Sequence, residues 1–242
     1  MNANEYEIRR KLSFESYNRL ANLIEKNPRM VPPFLNSGFL YIGSQPDVQY
    51  SYIDKPVFDN CLIYTHLFEY VSPENKEVLE VGCGPGRGCN FIKNQYNVKS
   101  ITGCDINDNL LKIAKKHFPL IKFVNGNAVK LNLLNKLFDV VVTVETMLYW
   151  DCHKDSFKSF ASVLKEGGSL LIASDMRQSD ITLDKNFLQH GLRLVAEQDI
   201  TQNVLLAIEQ AINKGVAAEK DLKKYQMFQT KYRYISKHYI RE

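Results

Sequence analysis

Glu77-Val78-Leu79-Glu80-Val81-Gly82-Cys83-Gly84-Pro85-Gly86-Arg87 is the stretch on which the fold turns. Its first five residues read as a short buried strand. Gly82, Gly84 and Gly86 then mark a turn, and Arg87–Asn94 reads as the helix that follows. Glycines at such a place let the backbone bend sharply and let a ligand approach it closely. The spacing is GxGxG. A dinucleotide fingerprint is GxGxxG, and neither frame supplies it: the sixth position counted from Gly82 is Arg87, and from Gly84 it is Cys89.

Working outward, strand and helix alternate. Ser100-Ile101-Thr102-Gly103-Cys104 predicts a second strand ending at Asp105, Asn109–His117 a helix, and Ile121–Val124 a third strand. Phe138–Val144 is an apolar run without alternation, which argues for burial on both faces of a parallel sheet. Lys154–Lys165 predicts an amphipathic helix stopped by Gly167-Gly168, with a fifth strand over Ser169–Ser174. Leu192–Ala196 reads as a sixth strand, Thr201–Asn213 as a helix, and Tyr232–Ile240 as a last, antiparallel strand. Upstream, Glu5–Glu25 and Pro56–Tyr70 read as helices, separated by an aromatic-rich segment punctuated by Pro28, Pro32, Pro33 and Pro46. Alternation of this kind implies an α/β fold. The expected architecture is a seven-stranded, mostly parallel sheet with helices on both faces and an N-terminal helical lid. The expected division is a lid over residues 1–55 and a main domain over 56–242, with a C-terminal insert at about 176–230.

Composition bounds the function. The chain has 242 residues, and its net charge of +4 is mild. No apolar run is long enough for a membrane span. The opening Met1-Asn2-Ala3-Asn4-Glu5 contains an acid and does not resemble a signal peptide, so a cytoplasmic location is expected. Cys61, Cys83, Cys89, Cys104 and Cys152 form no CxxC pair, which leaves reduced thiols and no metal site. The C-terminal lysines are interrupted by Glu219 and Asp221 and read as a solvated face, so no nucleic-acid partner is expected. A homodimer is left open.

Three further signals accompany the glycine turn. Asp105 stands at the end of the second strand, where a carboxylate can accept hydrogen bonds from both ribose hydroxyls of a nucleoside. The competing role is a helix N-cap. Gly126-Asn127-Ala128 follows the third strand, where an amide side chain can bond an adenine edge or simply make a turn. Glu145 and Met147 stand just past the carboxyl end of the fourth strand, the edge at which open α/β sheets bind ligands.

Together these four signals resemble the Rossmann-like (class I) S-adenosylmethionine (SAM)-dependent methyltransferases over roughly residues 75–175, including the helix–GG–strand element Leu164–Leu171. The resemblance implies that Gly82, Cys83, Gly84 and Gly86 cradle the methionine part of SAM and that Glu80 answers its ammonium. It implies that Asp105 takes the ribose and that Ile106, Asn127 and Ala128 flank the adenine. Many members carry Asp where this chain has Asn127. Outside the core, Asn36-Ser37-Gly38-Phe39-Leu40 and Glu197–Val204 resemble the small-molecule branch.

The implied reaction is methyl transfer to a hydroxyl or carboxyl oxygen of a small, fairly apolar metabolite, with S-adenosyl-L-homocysteine (SAH) as product. An oxygen acceptor gains from a general base. Several relatives place a histidine three residues after the acid matching Glu145, but here that position is Leu148. His153 and His66 are the remaining candidates for the base, each weighed against a packing role. The alternatives are a methyltransferase acting on RNA or protein and a non-catalytic SAM-binding protein. No Asn/Asp-Pro-Pro-Tyr/Phe motif follows the fourth strand and no Pro-Cys dipeptide occurs. Their absence disfavours transfer to planar amides and to RNA cytosine carbon.

Overall fold

The computed structural model describes residues 3–27, 30, 32–44, 58–150, 154–177, 182–215 and 232–242. Within them α1 (Ala3–Lys26) and α2 (Phe58–Phe68) precede β1 (Glu77–Val81), α3 (Arg87–Gln95), β2 (Ser100–Asp105), α4 (Asp108–His117), β3 (Lys122–Asn125) and β4 (Phe138–Val144). Then come α5 (Lys154–Ser162), β5 (Leu164–Arg177), α6 (Thr182–Leu188), β6 (Leu192–Asp199), α7 (Thr201–Asn213) and β7 (Tyr232–Arg241).

The seven strands form one sheet in the order β3-β2-β1-β4-β5-β7-β6. β1 to β5 pair in parallel, and β7 runs antiparallel between β5 and β6. The expected α/β architecture is the one observed. The strand order reverses between β1 and β4, and such a switch point leaves a crevice beyond the carboxyl ends of the strands.

Two apolar layers flank the sheet. One packs α2, α3 and α7 through residues such as Leu62, Phe91 and Ala207. The other packs α5 and α6 through Phe157, Phe160 and Phe187, with Trp150 among them. Val140, Val141 and Val142 are fully buried between the layers, as the unalternating run of β4 requires. Each such side chain contributes roughly 1.5–3 kcal/mol relative to exposure. α1 lies outside this core and packs Ala21 and Ile24 against Leu110 and Ile113 of α4.

One boundary differs from the expectation. α5 ends at Ser162, and Gly167-Gly168 lie inside β5 rather than capping the helix. Phe138 pairs with Leu164 while Val140 pairs with Ser169, so the extra residues bulge out of the ladder. Gly167 carries that bulge at φ +71°. The expected division at residue 55 lies outside the described residues, as do parts of the expected insert.

Glycine also sets the sheet's clearance at β2. A Cβ on Gly103 would stand 2.6 Å from the Phe123 ring and 2.9 Å from the Cys83 Sγ. Gly103→Ala should therefore cost about 1–3 kcal/mol through overpacking. Urea denaturation checks this; an unchanged midpoint would show that the ring yields freely.

Candidate active site

A cavity of about 830 Å³ opens beyond the carboxyl ends of β1, β2, β3 and β4, with α1 and the segment around Phe34–Asn36 along its other side. Pockets that hold drug-sized ligands span about 300–1,000 Å³. This one stands near the upper end, with room for two reactants side by side.

The floor is the glycine bend. Gly82, Gly84 and Gly86 all have positive φ, at +77°, +53° and +85°. A Cβ on Gly82 would lie 2.2 Å from the Thr146 Cγ2, so only glycine lets the β1 and β4 tips approach this closely. The Cys104 carbonyl at the tip of β2 accepts from the Gly82 and Cys83 amides at 2.8 and 3.1 Å. Asp105 completes the junction. Its Oδ2 accepts from the Gly84 amide and its Oδ1 from the Asn107 amide, both at 2.8 Å. Burial pushes its carboxyl up, against the amides that hold it down. The helix cap is Asn107, whose side chain accepts from Asn109 and Leu110, so Asp105 itself faces the cavity.

Glu80 lies beneath the bend. Its Oε1 accepts from the Tyr64 hydroxyl at 2.7 Å. Its Oε2 is buried and has no hydrogen-bond partner among the described residues. Burial raises this carboxyl to about 7, against hydrogen bonds from Cys89 and Tyr64. An orphaned carboxylate oxygen in the wall of a cavity is a seat for a cationic donor.

Glu145 lies across the cavity, just past β4. It adopts φ +53°, a left-handed conformation that non-glycine residues seldom take. Its Oε1 accepts from the Ser37 amide at 2.5 Å. Burial lifts its carboxyl to about 7, opposed by hydrogen bonds from Tyr234 and Ser37. Above it the Tyr17 hydroxyl of α1 meets the Tyr149 hydroxyl at 3.3 Å.

The structure thus brings Glu80, Gly82, Cys83, Gly84, Asp105, Ile106, Asn127, Ala128 and Glu145 to one cavity. Asn127 serves its turn as well, because its side-chain oxygen accepts from the Val129 amide. Three expected site residues are placed elsewhere. Gly86 packs beneath the bend against Phe123 and Ala114. Met147 is buried in the α5 layer. His66 stacks on Phe39 with centroids 4.7 Å apart and bonds the Ser236 hydroxyl at 2.9 Å, away from the cavity. Burial holds the His66 pKa below the usual histidine value. His153 lies outside the described residues. Cys83 and Cys104 are buried thiols raised to about 11 and about 12, consistent with packing rather than reaction.

Tyr64, Arg87 and Tyr149 also line the cavity and were not singled out from sequence. Arg87 sits 5.7 Å from the centroid of the Phe34 ring. Their pairings span long stretches of chain and leave no periodic signal. Among the described residues no group of metal-ligating side chains occurs, and no helix is long and apolar enough to cross a membrane.

Residues 78–168 match the family described as methyltransferase domain. A phthiotriol/phenolphthiotriol dimycocerosates methyltransferase of Mycobacterium ulcerans is 29% identical over 160 residues, which cover 64% of this chain and 59% of that protein. A fatty-acid O-methyltransferase of Mycolicibacterium smegmatis is 27% identical, over 58% of this chain and 52% of its own. The chain thus spans between half and three fifths of these relatives in the matched region. Among solved structures, the geranyl diphosphate C-methyltransferase of Streptomyces coelicolor aligns with a TM-score of 0.68 at 12% identity, covering 95% of this chain and 98% of its own, a likeness of fold. The matched region holds the glycine bend, the β2 carboxylate and the β4 tip, and over it the chain resembles the class I, Rossmann-like SAM-dependent methyltransferases.

Proposed function

We propose that this protein transfers the methyl group of SAM to an oxygen of a small, fairly apolar metabolite of lipid or polyketide character. One observation carries the reading: a single cavity is lined both by polar groups, Glu80, Asp105 and the glycine bend, and by the aromatic side chains of Phe14, Tyr17, Phe34 and Tyr149. The names of the mycobacterial relatives, which concern a lipid and a fatty acid, favour the same acceptor class.

The residues present fit SAM. The unpartnered Glu80 Oε2 is placed to accept from an ammonium, and the left-handed glycines leave the bend bare of side chains for the methionine part. Asp105 presents a carboxylate to ribose hydroxyls, and Ile106, Asn127 and Ala128 stand where adenine would lie. When bound, SAM supplies a methyl already activated by its sulfonium. The protein's own task is alignment and exclusion of water. Well-oriented reactants gain up to about 7–11 kcal/mol from that alone. α1 serves as cover for the acceptor half, so the N-terminal segment acts as a lid.

Incubating the protein with methyl-labelled SAM and a lipid extract, then identifying the labelled product by mass spectrometry, tests the reaction. A labelled protein or RNA instead would point to the other acceptor classes. Asp105→Ala should weaken SAH binding by about 1–3 kcal/mol in calorimetry, the scale of a lost buried partner. Unchanged affinity would remove Asp105 from the site.

Binding should also depend on pH through Glu80. Its folded-state pKa of about 7 lies above the ordinary 4.5, so the free protein keeps a proton there that the ammonium must displace. SAH affinity should then rise between pH 6 and 8, by at most about tenfold per unit below pH 7 for one released proton. Glu80→Gln should flatten that rise. A slope that survived the substitution would assign the titration to another group.

A further inference from the structure

Glu145 and the Tyr17–Tyr149 pair are left over once the cofactor has been seated. Glu145 is half-buried, its backbone is held in the left-handed region, and its carboxyl reaches the cavity from the β4 tip. Tyr17 lines the same cavity as Glu145 and Asp105, and its hydroxyl meets that of Tyr149 at 3.3 Å.

Resting on the methyltransferase reading above, we propose that Glu145, with Tyr17 and Tyr149, forms the acceptor's polar seat and selects a neutral hydroxyl on an apolar skeleton over a carboxylate. Charge decides between the two. The acids lining the cavity are the buried Glu80 and the half-buried Asp105 and Glu145, and the buried cation is Arg87, whose guanidinium sits over the Phe34 ring. At the rim, Lys11 and Glu15 offset each other. SAM brings one net positive charge, and Glu80 answers its ammonium. A carboxylate placed beside an ionised Glu145 adds like charge at short range. A hydroxyl instead donates to the Glu145 carboxylate and accepts from a tyrosine O–H.

The same contact serves the chemistry. The acceptor O–CH₃ bond forms as the C–S bond breaks, its electron pair passes to sulfur to leave neutral SAH, and the hydroxyl proton goes to Glu145. With a carboxyl near 7, Glu145 is a base matched to neutral pH. It fills the role for which the sequence offers no histidine at position 148. The charged and titratable groups around it are Asp175 on β5, Tyr234 on β7 and Tyr17 on α1.

Calorimetry of the SAH-loaded full chain with 1-octanol and with octanoate tests this. In that state the ammonium keeps Glu80 ionised, which removes it from the titration. At pH 8 octanol should bind at least tenfold tighter than octanoate, and the ratio should shrink at pH 6, where Glu145 is protonated. Glu145→Gln retains an acceptor for the Ser37 amide and should shrink the ratio at pH 8. Tyr149→Phe should weaken octanol and leave octanoate unchanged. The proposal is overturned if octanoate binds as tightly as octanol at pH 8, if the ratio ignores pH, or if neither probe binds. Failure of SAH itself to bind would instead sink the cofactor reading beneath it.

Discussion

The Asp105 carboxylate holds the site together. It is half-buried at the tip of β2, and its two oxygens take amides from two elements: Gly84 from the bend after β1, and Asn107 from the start of α4. Charge-assisted bonds of this kind are stronger than neutral ones and bring specific geometry. The bend, the neighbouring strand and the next helix are therefore registered against one another by a single side chain. That same side chain remains exposed to the cavity, where a ribose is expected. One group both ties the strand tips together and lines the cavity because the tips converge there.

Close approach is the second constraint. β1 and β4 are neighbours at the point where the strand order reverses. Gly82 touches Thr146 so tightly that any Cβ would collide. Thr146 is itself fixed by hydrogen bonds to Thr143 and to the Trp150 indole. Trp150 in turn packs 4.6 Å from Phe160 of α5. The cavity floor is thus continuous with the apolar layer behind it, and the left-handed Glu145 is held between rigid elements. Strained backbone of this sort persists only where the surroundings over-determine it.

The N-terminal segment closes the cavity through polar contacts. The Asn36 side chain donates to the Asn60 carbonyl, Phe39 bonds the Asp59 carbonyl, and Leu40 bonds Asn203 of α7. Ser37 then bonds Glu145, which ties the strap to the β4 tip. α1 is docked by Asn18, whose side-chain oxygen accepts from both Asn107 and Asn109 at the head of α4. The cover is therefore hydrogen-bonded to the loop that carries Asp105. The two sides of the cavity share their supports.

The strand–helix alternation, the glycine bend, the unalternating β4 and Asp105 are all legible in the sequence, because each depends on residues adjacent in the chain. Local chemistry sufficed for the sheet, its antiparallel β7 and much of the cavity wall. The exceptions have tertiary causes. Gly167-Gly168 read as a helix stop, yet pairing with β4 drew them into a bulged β5. His66 stood on the right helix, but its face packs on Phe39 and Ser236 instead of the cavity. Glu145 was visible as a residue, while its left-handed backbone, its burial and its tyrosine neighbours arise only when α1, β4 and β7 come together. Backbone bends and strand patterns are written over a few consecutive residues. The environment of a buried carboxylate is written over the whole chain, because it is set by groups that only folding makes neighbours.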